Sequence, residues 1–178
     1  MRTIDRDRTT LLVIDLQQRL MPAIDGASDV LANAGRLIEA ARKLGVPAVV
    51  TEQNPKGLGP TVPELAVEGM PRLAKMEFDA ARANGFFELL STDRPDILVA
   101  GCEAHVCVLQ TVLGLLDGGH NVRVVRDAIG SRRAESKEAA IERMRRHGAE
   151  IVTTEMAVFE WLGTAADPNF REIAALIK

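Results

Sequence analysis

Three side chains in this sequence could together break a bond: a carboxylate at Asp15, an ammonium at Lys75 and a thiol at Cys107. A carboxylate partly withdrawn from water can take a thiol proton and later return it to a leaving group. An ammonium beside the pair stabilises both anions and orients them. The sulfur can then attack an electrophilic carbon, giving a covalent intermediate that water hydrolyses. Cys107 lies in a telling stretch, Ile97-Leu98-Val99-Ala100-Gly101-Cys102-Glu103-Ala104-His105-Val106-Cys107-Val108-Leu109-Gln110-Thr111. The apolar run reads as a buried strand ended by Gly101, and a helix-compatible segment follows at once. Free N–H groups and the positive end of a helix dipole favour thiolate over thiol, and the same N–H groups can hold a developing oxyanion. Each residue also has a bland alternative: an inert core cysteine, a turn-forming aspartate, a surface lysine.

What favours chemistry is the set of elements that would carry them. Thr10 to Ile14 reads as a first strand closed by Asp15. Val30 to Leu44 has helical periodicity and stops at Gly45. Val46 to Thr51 is the second strand, and Asn54 to Pro60 is expected to be irregular because glycine and proline interrupt it. Arg72 to Lys75 is a short third strand. Ala80 to Leu90 reads as helical, with Gly85 a point where it can break. Ile97 to Ala100 is the fourth strand and Glu103 to Leu116 its helix, ended by Gly118-Gly119. Val122 to Arg126 is the fifth strand, Ser136 to His147 a helix stopped by Gly148, Glu150 to Thr153 a sixth strand, and Phe170 to Ile177 a last helix. Strands alternating with helices imply a parallel sheet covered on both faces, with functional loops at the carboxyl ends of the strands. Asp15, Lys75 and Cys107 all fall at that edge.

The bulk properties narrow the function classes. The 178 residues fit one domain, residues 1–178, with a core of useful size. A net charge of −3 argues against a nucleic-acid partner. The arginines 132, 133, 143, 145 and 146 alternate with Glu135, Glu138 and Glu142 as on a solvated helix face. Aromatic content of 3% offers no stacking platform for bases. No apolar run approaches the roughly 20 residues that span a bilayer, and Met1 to Asp7 lacks the apolar core of a signal peptide. Two cysteines, at 102 and 107, make neither a disulfide framework nor a Cys-x-x-Cys site. A reducing cytoplasm is the expected compartment.

Leu12-Val13-Ile14-Asp15-Leu16-Gln17, Lys75-Met76-Glu77-Phe78 and Gly101 to Thr111 resemble the isochorismatase-like cysteine hydrolases. Val122 to Ala128 looks like that family's fifth strand with its trailing Asp-Ala pair, and the likeness runs from about Thr9 to Phe159. The resemblance implies an α/β fold, a three-layer Rossmann-like sandwich with a six-stranded parallel sheet. It implies base, cation and nucleophile roles for Asp15, Lys75 and Cys107. It also implies a cis peptide between Cys102 and Glu103, with the N–H groups of Glu103 and Cys107 facing the oxyanion. Residues 51–61 are most similar to the isochorismatase domain-containing subgroup. A homo-oligomer is implied too, and the apolar segment Met156 to Leu162 could serve its interface or pack on its own core.

Two departures shape the expected chemistry. Metal-binding nicotinamidases carry Asp-x-His after the second strand, where this chain has Glu52-Gln53-Asn54, and its histidines are only His105, His120 and His147. Neither a metal nor another cofactor is therefore expected. Glu52 and Gln53 could bind a polar substrate group or anchor their loop. Ala104 stands where relatives carry threonine, losing a hydroxyl beside the cysteine turn and the pocket. His105, two residues before Cys107, points to another side of a helix. Gly57-Leu58-Gly59 lacks the helix and lysine of a phosphate loop. The sequence thus favours a metal-independent hydrolase of a small amide or related C–N bond. Vinyl-ether hydrolysis of an isochorismate-like molecule, or a non-catalytic oligomeric scaffold, stays open.

Overall fold

The computed structural model describes residues 3–177; Met1 and Arg2, part of the segment that reads unlike a signal peptide, lie outside the described residues. The chain runs β1 (Thr9–Ile14), α1 (Ala27–Leu44), β2 (Ala48–Gln53), α2 (Pro55–Leu58), β3 (Arg72–Lys75), β4 (Asp96–Cys102), α3 (Leu109–Asp117), β5 (Asn121–Gly130), α4 (Ala134–Arg146), β6 (Glu150–Val152), α5 (Thr154–Leu162) and α6 (Phe170–Ile177). Its strands form one six-stranded sheet in the order β3-β2-β1-β4-β5-β6, every pair parallel. The order reverses between β1 and β4, the place where open α/β sheets commonly take their ligands.

The sheet is buried on both faces, which is why β1 is apolar throughout. Leu11 and Val13 join one core with α1, α5 and α6; Leu12 and Ile14 join the other, with α3, α4 and Phe86. This alternation along one strand makes three layers. The alternating strands and helices read from the sequence are the observed α/β architecture.

Boundaries moved where local chemistry competed with pattern. β2 begins at Ala48 rather than Val46, because the Val46 N–H closes α1 on the Ala41 carbonyl and Pro47 has no N–H to give. The shift carries Glu52 and Gln53 onto the strand. Gly101 does not end β4, which continues through Cys102. Its φ of +133° suits glycine, and a Cβ there would overlap the Ile14 carbonyl oxygen of the neighbouring strand. β5 runs on to Gly130 because its last residues pair again with β4 after a register shift between Val99 and Gly101. Residues 80–90 are two short 3-10 turns, Ala80–Arg82 and Phe87–Leu89, rather than a helix, with Gly85 at positive φ between them. The loop expected to be irregular contains α2, whose first position suits Pro55.

The segment Met156 to Leu162 lies in α5, a helix capped by the Thr153 hydroxyl. One face buries Ala157, Val158, Trp161 and Leu162, while Met156 and Phe159 are exposed. Among the described residues no helix is long and apolar enough to cross a membrane.

Candidate active site

The sheet register brings the candidate residues together. Ile14 lies beside Thr51 on β2, and Gln53 lies beside Lys75 on β3. Asp15 follows directly on β1 with φ of 52°, a conformation aspartate tolerates, and its N–H bonds to the Thr51 carbonyl at 3.1 Å. One carboxylate oxygen accepts the Thr51 hydroxyl at 2.7 Å, and the other accepts the Lys75 ammonium at 2.8 Å. Both charged side chains are fully buried, at 0% exposure. A buried ion pair holds only when its remaining donors and acceptors are satisfied. Lys75 meets that condition through a second bond, to the Gln53 side-chain oxygen at 2.9 Å.

Gln53 is itself fixed on two sides. Its amide nitrogen donates to the Met76 carbonyl at 2.8 Å. Its backbone is read by Gln17, whose oxygen accepts the Gln53 N–H at 2.8 Å and whose nitrogen donates to the Gln53 carbonyl at 3.0 Å. The same Gln17 nitrogen reaches the Gly59 carbonyl at 2.6 Å. Gln53 therefore serves as the hinge pin between β2 and Lys75, its polar atoms engaged within the protein. Glu52 is equally engaged: one oxygen accepts the Thr61 N–H and hydroxyl, both at 2.8 Å, and lies 3.3 Å from Arg72. Of the two alternatives for Glu52 and Gln53, their bonds are those of loop and strand anchors.

The third residue arrives from β4. The Cys102–Glu103 peptide bond is cis. A π-helical turn, Ala104–Val108, then leads into α3, with the Val106 and Val108 N–H groups both donating to the Glu103 carbonyl. The Cys107 thiol lies within electrostatic reach of the Asp15 carboxylate and, on the opposing side of the balance, of the Lys75 ammonium. Asp15 is thus bonded to Lys75 and is the charge that acts most strongly on Cys107. Cys107 is 6% exposed, against 3% for Lys75 and 0% for Asp15. Burial pushes its thiol up to about 12; the Asp15 charge adds to that shift and Lys75 opposes it. These effects oppose the thiolate that a helix start favours. The sulfur is at a helix start, but it is withdrawn from water beside a carboxylate, and desolvation outweighs the helix dipole.

Around the sulfur, Ala104 is fully buried in the core. The His105 ring is hydrogen-bonded to the Ser131 hydroxyl at 3.0 Å, and the Glu103 carboxylate pairs with Arg132 at 2.9 Å. Met76 and Phe78, beyond Lys75, are 67% and 51% exposed. Cys102 is fully buried, its thiol also raised to about 12 by burial. Among the described residues no cluster of three or more His, Cys, Asp or Glu side chains is arranged to hold a metal ion. Gln17 and Thr51 do not stand out in the sequence as site residues. Their only signal is position, two residues past Asp15 and near the buried end of β2.

A family model described as the isochorismatase domain matches residues 9–156. The chain belongs to the isochorismatase family. It is 40% identical over 173 residues to isochorismatase domain-containing protein 2 of Homo sapiens, covering 96% of this chain and 83% of that one. A solved structure described as MAR1 ribonuclease, from Caenorhabditis elegans, superposes with a TM-score of 0.93 at 37% identity, covering 98% of this chain and 92% of that one. The YcaC gene product of Escherichia coli, described as an octameric hydrolase of unknown specificity, has a TM-score of 0.93 at 23% identity, covering 99% and 90%. At that identity the likeness is one of fold. This isochorismatase-family chain thus has the six-stranded parallel α/β fold of its hydrolase relatives.

Proposed function

We propose that this protein is a metal-independent cysteine hydrolase that cleaves a small amide or related C–N bond. The observation that carries the reading is the buried Asp15 carboxylate, ion-paired to Lys75 at 2.8 Å and acting electrostatically on the Cys107 thiol. Asp15 takes the thiol proton as sulfur attacks the carbonyl carbon. The oxygen's new charge is held by the N–H groups of Glu103 and Cys107 at the start of the helical turn, where the first N–H groups lack intrahelical partners. The C–N bond breaks as Asp15 gives its proton to the leaving nitrogen, leaving a thioester on Cys107. Water then attacks the thioester, its proton passes by way of Asp15 to sulfur, and the acid departs. Lys75 holds the Asp15 carboxylate in place through their ion pair in each half-reaction.

The test is a panel of small amides and ureides with the purified protein and Cys107→Ala. Turnover by the former alone supports the reading; equal turnover by both rejects it. Isochorismate and an RNA strand belong in the panel, given the family's name and the ribonuclease name of the C. elegans neighbour. Pyruvate release that survives Cys107→Ala would favour vinyl-ether hydrolysis, which protonation of substrate can drive without the thiol. The exposed Met156 and Phe159, together with the octameric description of the E. coli neighbour, support a homo-oligomer. Sedimentation as a monomer would contradict it.

A further inference from the structure

Thr111 lies one helical turn beyond Cys107 and is fully buried. A helical threonine commonly turns its hydroxyl back to a carbonyl of its own helix. This one faces another element. Its oxygen accepts the Ala80 N–H at 2.9 Å, and its hydroxyl donates to the Phe78 carbonyl at 3.4 Å. Both groups belong to the segment that leaves Lys75. Gly114, three residues on along α3, continues the contact. A Cβ on Gly114 would lie 2.7 Å from both Asp79 carboxylate oxygens and 2.9 Å from the Ala81 Cβ. The absence of a side chain there lets residues 78–81 lie flat against the helix. Asp79 in turn caps this segment, accepting the Ala81 N–H at 2.9 Å.

β3 needs such a fastening. It is an edge strand of four residues that pairs only with β2, and its last residue must hold an ammonium within 2.8 Å of Asp15. From the β2 side, Lys75 is secured by the Asn54 N–H on its carbonyl at 2.9 Å and by the Gln53 amide on Met76. From the other side, the chain beyond Lys75 meets α3, the helix that follows directly on the Cys107 turn. We propose that Thr111 is a positioning residue, which fastens the segment after Lys75 to the nucleophile's helix and so sets the lysine and the sulfur in one geometry. The proposal rests on the Cys107–Asp15–Lys75 chemistry above and extends it to a residue that touches neither substrate nor reacting atoms.

The probe is carbon-labelled acetaldehyde, followed by carbon NMR. The Cys107 sulfur adds to the carbonyl carbon and the thiol proton ends on the aldehyde oxygen, giving a hemithioacetal with no oxidant or reductant. Thr111→Val, which keeps the shape and removes the hydroxyl, is expected to weaken adduct formation about 10- to 100-fold, the scale of a lost catalytic alignment. Thr111→Ser, which keeps the hydroxyl and loses a buried methyl, is expected to bind as the wild type does, although its melting temperature falls. A role in stability alone would lower melting temperature in both and affinity in neither. Gly114→Ala, which displaces Asp79 and Ala81 without touching the hydroxyl, is expected to weaken the adduct likewise and serves if Thr111→Val does not fold. Wild-type affinity in folded Thr111→Val, or in Gly114→Ala, overturns the proposal alone. No adduct in the wild type, or one that survives Cys107→Ala, overturns the underlying catalytic reading and this proposal with it.

Discussion

At Cys107 a helix start that favours an anion competes with burial that opposes one. A helix N-terminus contributes about 0.3–1 kcal/mol to an exposed negative charge. A thiol raised from its ordinary 9.0 to about 12 reflects about 4 kcal/mol in the opposite sense. Burial and the Asp15 charge together outweigh the helix start, and a thiol protonated at rest is the expected state. Ultraviolet titration of thiolate in the native protein is therefore expected to show none at neutral pH; a thiolate step near neutrality at Cys107 would contradict this. Lys75→Met is expected to cost about 3–5 kcal/mol in urea denaturation, since it leaves Asp15 buried without its cation. Amide turnover is expected to fall at least about 100-fold with it, a typical general acid–base effect. A variant with full stability and full turnover would remove Lys75 from the site. Asp15, Lys75 and Cys107 were legible in the sequence because each sits at the end of a strand or start of a helix. The duties of Glu52 and Gln53 were not. Their partners, Thr61, Arg72, Lys75 and Met76, are set by strand register and loop path, which local pattern does not encode.

At the scale of elements, close backbone approach decides what pattern leaves open. Gly101 reads as a strand terminator, yet it lets β4 pass against Ile14 and deliver Cys102 and Glu103 to the site. Gly101→Ala combines a Cβ at positive φ with overlap on a backbone oxygen, so a loss of about 4 kcal/mol or more is expected from chemical denaturation. Near-native stability would mean that β4 can move away from β1 freely. The strand and helix alternation was readable because apolar runs and 3.6-residue periodicity differ sharply. Three features were not readable for specific reasons. Val46 serves α1 as a cap, Asp79 turns residues 80–82 into a 3-10 turn, and the apolar residues of α5 look alike whether they face core or solvent.

For the whole molecule, the order reversal between β1 and β4 puts Asp15 and the Cys107 turn at the ends of adjacent strands, and β2 and β3 bring the lysine across. The parallel sheet followed from the alternation; the order of its strands did not, because sequence adjacency alone leaves crossovers unspecified. The two buried thiols also set a global pH response. Cys102 and Cys107 have folded values of about 12 against an ordinary 9.0. A group raised on folding contributes fully below its unfolded value and loses that contribution as pH rises toward the folded one. Stability is therefore expected to fall between pH 9.0 and about 12. Urea midpoints should drop less steeply over that window in Cys102→Ala; an identical slope would mean that Cys102 ionises freely in the folded protein.

Covalent attack by the Cys107 sulfur is tested most directly by a crystal structure of the protein soaked with a small aldehyde. Continuous density from that sulfur to the aldehyde carbon, with the new oxygen against the Glu103 and Cys107 N–H groups and Asp15 beside it, is the expected result. An intact aldehyde at the site with Cys107 unmodified, or a carbon bonded elsewhere, would contradict it.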